Sequence, residues 1–155
     1  MGIIILIAVA AVIVVTLLLL VIKMLASPKK TDSIRKLLKQ GKTQSAIKLA
    51  KQIIAKNPKD YKAHYYLGRA YIQDNRAELA LMEFKFVNEN ALFGEELKEI
   101  PFRKELASMY RKFNQNEEAL RELLLLTKLD PNDSDVYFQT GELLLNAGKL
   151  ENAIV

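Results

Sequence analysis

The stretch AHYYLGRAYIQDNRAELAL, residues 63–81, holds the chain's only histidine, His64, with three tyrosines and two arginines. Two readings compete for it: the wall of a reactive pocket, or two helices packed on each other. A catalytic histidine needs a nucleophile or an orienting carboxylate within hydrogen-bond reach. The neighbouring sequence supplies neither, because Asp60 lies back at the preceding turn. The apolar spacing is helical, and Asp74-Asn75 interrupts it as a turn would. His64 and Tyr71 therefore read as packing residues, and the stretch reads as a helix, a turn and the start of a second helix.

The same punctuation recurs outward from this stretch. Helical pieces of about a dozen residues are separated by Gly41, Asn57-Pro58, Asp74-Asn75, Gly94, Asn114, Asp130-Pro131 and Gly148. Ala46, Ala80, Ala119 and Ala153 each follow by five residues one of Gly41, Asn75, Asn114 and Gly148, at separations of 34, 39 and 34. Lys56-Asn57-Pro58-Lys59-Asp60 and Leu129-Asp130-Pro131-Asn132-Asp133 are two versions of one helix-ending turn. A 34-residue helix–turn–helix period resembles the tetratricopeptide repeat. The best copy carries His64, Leu67, Gly68 and Tyr71 on its first helix and Ala80 and Phe84 on its second. The others keep Leu37, Gly41, Ala46 and Pro58; Leu106, Ala107, Tyr110, Ala119, Leu123 and Pro131; and Tyr137, Gly141, Leu144, Gly148 and Ala153. Gly68 and Gly141 are the small residues that let paired helices approach closely.

The expected fold is all-α: an N-terminal transmembrane helix followed by a tetratricopeptide solenoid of about three and a half copies. The expected boundaries are 1–22 for the anchor, 23–30 for a basic linker and 31–155 for the array. The copies lie near 31–60, 61–99, 100–133 and 134–155, the last incomplete. Five extra residues fall in the 39-residue interval; a prolonged second helix or a longer loop would both fit, and Gly94, as a residue past a helix C-terminus, favours the helix.

The anchor rests on Ile3–Ile22, a run without charge in which Thr16 alone is polar. As a helix it would span about 30 Å, the thickness of a bilayer's hydrocarbon core. Charge is unequally shared beyond it. Between Lys23 and Lys56 stand ten Lys/Arg and one acid, Asp32, whereas from Asn57 to Val155 there are 13 basic and 17 acidic residues. Basic flanks stay on the cytoplasmic side, beside an anionic leaflet. A single-pass protein of a bacterial inner membrane with a cytoplasmic array is expected, touching lipid through residues 3–22 and anionic headgroups through the basic segment. That segment has no aromatic residue for base stacking, which disfavours nucleic acid.

No cysteine is present, which removes disulfides, thiol nucleophiles and CxxC zinc clusters. One histidine makes a transition-metal site unfavourable, and no phosphate-binding GxxxxGK[ST] or GxGxxG is found. Neither a catalytic set, a metal nor a cofactor is expected. The resemblance implies instead a concave groove, lined by first helices, that holds protein or peptide partners. It assigns to the groove Tyr65, Tyr66, Arg69 and Gln73; Lys104, Ser108, Arg111 and Lys112; and Phe138, Gln139 and Glu142. The Lys-and-Asn pair by which one subclass grips a C-terminal carboxylate has no match at Thr31 and Arg35, or at Tyr65 and Arg69. The implied role is a membrane-anchored adaptor or scaffold, like inner-membrane repeat proteins that regulate envelope assembly. The alternatives are a periplasm-facing anchored repeat protein and a regulatory domain of a longer enzyme.

Overall fold

A computed structural model of the chain describes residues 13–18 and 30–148. Residues 13–18 are helical. The rest of the expected span 3–22 lies outside the described residues, as does the end of the last, incomplete copy, 149–155. Among the described residues no helix is long and apolar enough to cross a membrane.

The described array is all-α. Its helices are α1 (Lys30–Lys39), α2 (Thr43–Lys56), α3 (Tyr61–Gln73), α4 (Ala77–Asn90), α5 (Glu99–Lys112), α6 (Asn116–Leu129) and α7 (Ser134–Asn146). Odd-numbered helices are the first members of pairs and even-numbered ones the second. Each packs on its sequence neighbours, and α1 also touches α3. The core is continuous, because each helix buries a stripe that the next one covers. Ile34 leads to Ala46 and Ile53, then to Leu67 and Tyr71, Phe84 and Val87, Phe102 and Leu106, Leu123 and Leu126, and Val136. Ala46, Ala80 and Ala119 have no exposed surface at all.

The turns inside pairs share one geometry. Gly41 (φ +69°), Asn75 (φ 58°), Asn114 (φ 56°) and Gly148 (φ +70°) each adopt the left-handed conformation. Glycine and asparagine tolerate that region best. In three of the turns the next residue donates its N–H to the carbonyl five residues back: Lys42 to Leu37, Arg76 to Tyr71 and Gln115 to Tyr110. This is the bond that satisfies the last carbonyls of a helix. The turns between pairs use a different device. Asp60 accepts from the Ala63 N–H at 3.0 Å, and Asp133 accepts from those of Asp135 and Val136 at 3.2 and 3.4 Å. Asp60→Ala should lower stability by about 1 kcal/mol, read as a fall in urea midpoint with unchanged slope. An unchanged midpoint would show that the cap does not hold α3.

The five extra residues do not prolong α4, contrary to the reading of Gly94 as its end. The helix stops at Asn90, and Ala91 turns extended (ψ 140°). Residues 91–98 form a structured loop whose own apolar side chains decide the outcome. Leu97 is buried and Phe93 packs on Phe102, ring centroids 5.5 Å apart. A continued α4 would carry both away from that core. The Gly94 N–H donates to the Leu97 carbonyl at 3.0 Å, and the Tyr61 hydroxyl donates to the Leu92 carbonyl at 3.1 Å. Pro101 then falls in the first turn of α5, where its missing N–H costs nothing.

Arg103 secures this loop. Its Nε donates to Glu99 at 2.7 Å, and its Nη1 donates to Glu122 at 2.7 Å and Asn88 at 3.1 Å. Its guanidinium lies 5.2 Å from the centre of the Phe93 ring. Asn88 donates in turn to the second oxygen of Glu122 at 3.1 Å. Burial works against the Arg103 charge, but the hydrogen bonds to Glu99 and Glu122 outweigh it and hold its pKa above the ordinary value.

Candidate functional site

The first helices of the first two pairs and the 91–98 loop enclose a cleft of about 450 Å³. Its floor is helical: Arg35, Leu38 and Lys39 from α1, and Tyr65, Tyr66, Arg69 and Gln73 from α3. Glu95, Glu96, Leu97 and Lys98 of the loop form a wall, with Pro101 at the start of α5. A second hollow of about 330 Å³ shares Arg35, Tyr65, Tyr66, Glu95, Glu96 and Leu97, and adds Thr31, Asp32 and Lys62. The wall is fixed to the floor by an ion pair between Lys62 and Glu96.

Four positions expected in a groove thus meet in one place: Tyr65, Arg69 and Gln73 at four-residue steps along α3, with Tyr66 beside them. Arg69 donates to the Tyr65 hydroxyl at 3.2 Å and lies 3.5 Å from a Glu105 carboxylate oxygen. Burial disfavours the Arg69 charge, yet Glu105 and Tyr65 carry its pKa above the usual value. Burial pushes the Glu105 carboxyl up, with Arg69 opposing. The Tyr66 hydroxyl is also raised, first by burial. Tyr65 is partly committed to the core, its ring stacked 5.8 Å from that of Phe84. Arg69 and Gln73 are exposed at the cleft, and Tyr66 is half-buried beside them.

The remaining expected positions do not join this cleft. Arg111 donates to Gln139 at 3.0 Å and to Glu142 at 2.6 Å, so three of them are bonded to one another between α5 and α7. Gln139 also donates to Asp135 at 2.7 Å. Lys104 pairs with Asp133, which raises the lysine's pKa and lowers the carboxyl's. Ser108 and Lys112 are exposed on α5. Phe138 is 73% exposed on α7.

Sequence reasoning missed the loop wall, and it missed Leu38, Lys39 and Arg35 as cleft residues. Their signal was present: Arg35 and Lys39 stand 34 residues before Arg69 and Gln73.

His64 has a carboxylate partner after all, one that lies 19 residues away on α4. Its Nδ1 is 2.5 Å from Glu83, its Nε2 is 3.1 Å from the Pro58 carbonyl, and its ring stacks 3.9 Å from Phe86. This pair ties α3 to α4 and to the preceding turn. No group of three or more His, Cys, Asp or Glu suited to a metal occurs among the described residues.

Known proteins agree with this architecture. Family models of the tetratricopeptide repeat match residues 31–84 and 123–155. Among solved structures, YrrB, described as a TPR protein with an unusual peptide-binding site, superposes at a TM-score of 0.68 with 20% identity. That match covers 80% of this chain and 61% of YrrB. MamA superposes at 0.67 with 20% identity, over 81% of this chain and 66% of its own. A complex of Naa15 and Naa10 bound to HypK matches at 0.61 with 21% identity, over 76% of this chain and 17% of that one. The chain thus spans about three fifths of the length of YrrB and about two thirds of that of MamA. At such identities the likeness is one of fold. No curated protein sequence matches the chain. The chain carries tetratricopeptide repeats and folds as a tetratricopeptide solenoid, an architecture typical of non-catalytic protein-interaction modules.

Proposed function

We propose that the protein is a membrane-anchored adaptor that holds an extended segment of a partner protein in the cleft between α1, α3 and the 91–98 loop. The observation that carries this reading is the convergence of Tyr66, Arg69 and Gln73 on one open cleft, with their neighbours Leu67, Ala70 and Tyr71 spent on the core. Tyrosine and arginine are the residues that most often dominate binding energy, because they join large contact area to directed hydrogen bonds. The peptide-binding site named for YrrB is in keeping with this use of the fold.

Anchoring is supported by the uncharged run Ile3–Ile22, and a cytoplasmic array by the basic residues that follow it. A tether confines the cleft to the membrane plane and raises the effective concentration of partners held there. Anchored repeat arrays of this layout suit envelope assembly, or its regulation, at a bacterial inner membrane. A phosphatase fused after Val155 should then be inactive and a cytoplasmic fluorescent reporter bright; the reverse pattern would place the array outside.

The cleft is tested by replacing Tyr66, Arg69 and Gln73 together with alanine. Helical content should persist, since alanine is the best helix former. Partner capture from detergent-solubilised membranes should fall about tenfold or more. Arg111→Ala, which opens the bonds to Gln139 and Glu142 instead, should leave capture near the parent's level. If Arg111→Ala abolished capture while the triple variant did not, the site would lie at α5 and α7.

A further inference from the structure

We infer that the first helical hairpin, α1–α2, docks on an anionic lipid surface and so sets how the array stands on the membrane. This deepens the anchored reading above and rests on it. The hairpin's charge is one-sided. Arg35, Lys36, Lys39, Lys42, Lys48, Lys51, Lys56 and Lys59 are all exposed. The acid of the segment 31–59 is Asp32, already bound to Arg35 at 3.1 Å. Lys51 additionally reaches over the Tyr71 ring at 5.9 Å. The α2 helix carries no carboxylate at all, and its buried stripe of Ala46, Ile47, Ala50 and Ile53 turns Lys48 outward.

The rest of the array has the opposite sign, with 11 basic and 16 acidic residues from Asp60 to Gly148. An anionic surface therefore attracts one end of the solenoid and repels the remainder. Fields of this kind act within a Debye length, about 8 Å at physiological salt. The linker permits that approach and keeps the hairpin near the bilayer: Lys23 to Lys29 is seven residues, with a reach of at most about 25 Å. Polyanionic nucleic acid shares the charge, but the segment 31–59 has no aromatic residue on which a base could stack. Docked in this way, Arg35 and Lys39 on the cleft side of α1 hold the cleft mouth near the headgroups.

The absence of cysteine makes the test direct. Ser45→Cys on exposed α2 and Asn132→Cys on the far turn each take a single fluorophore in the full chain, with vesicles whose headgroups carry a nitroxide quencher. Vesicles rich in phosphatidylglycerol should quench the label at position 45 and spare that at 132; neutral phosphatidylcholine vesicles, which hold the hairpin by the tether alone, should quench position 45 far less. Replacing Lys36, Lys42, Lys48 and Lys56 with glutamine should shift this docking equilibrium about tenfold or more, as should raising the salt. Circular dichroism of the fourfold variant confirms that the hairpin still folds. Equal quenching at 45 by both lipids, or no effect of the four glutamines, would overturn the proposal. So would a label that responds to duplex DNA and ignores anionic vesicles. Co-flotation with neutral vesicles at high salt reports the anchor separately: a chain that floats with anionic vesicles alone keeps the docking surface and loses the anchor.

Discussion

Gly68→Ala should destabilise the array by about 2 kcal/mol, although alanine is the better helix former. A Cβ built at Gly68 lies 2.4 Å from Cε1 and 2.6 Å from Cδ1 of Phe84. The ring has nowhere to retreat, being fully buried between Tyr65 at 5.8 Å and Phe102 at 5.7 Å. Overpacking of this kind typically costs about 1–3 kcal/mol, against a gain in helix propensity of about 1 kcal/mol at most. Because the clash is with a rigid ring held on two sides, the cost falls at the upper end and wins. Gly68→Leu should be worse still. Thermal melting checks this, and Phe84→Leu in the Gly68→Ala background should recover part of the loss by vacating the contact. A Gly68→Ala protein that melts with its parent would mean α3 and α4 do not approach this closely.

Arg103→Leu should have the larger effect, about 3–5 kcal/mol. The substitution strips Glu122, only 8% exposed, of its charged partner and leaves it with the Asn88 amide. It also removes the guanidinium that lies over Phe93, so the 91–98 loop should be cut faster by trypsin at Lys98. Replacing both partners by leucine should recover much of the stability, because a buried charge left alone costs more than none. If the double variant were no better than Arg103→Leu, the penalty would come from lost packing rather than from the orphaned carboxylate.

The repeat was legible because its causes are local. Gly41, Asn75 and Asn114 mark left-handed turns, and the alanines five residues later mark close helix contacts, whatever the rest of the chain does. What escaped the sequence is decided at a distance. Gly94 looks like a helix stop, but Phe93 and Leu97 gain more by entering the core beside Phe102 than a longer α4 would by local hydrogen bonds. Glu83 pairs with His64 across two helices, and Arg103 finds Glu122 in the next one. The groove was half legible for the same reason. Register places Tyr65, Tyr66, Arg69 and Gln73 on one face of α3, but register does not reveal that Gln139 and Glu142 occupy Arg111. Nor does it reveal that an insertion walls the cleft.

The central claim is that this cleft, rather than the outer face of the solenoid, receives the partner. Site-specific photocrosslinking decides it most directly. A benzophenone amino acid replaces Tyr66 in one protein and Met82, 66% exposed on the second helix of the same pair, in another. Both are irradiated in native membranes and their adducts compared. The account predicts discrete adducts from position 66, suppressed when Arg69 and Gln73 are also changed to alanine, and none of the same species from position 82. Adducts from position 82 with none from 66 would contradict it, and would assign recognition to the outer face.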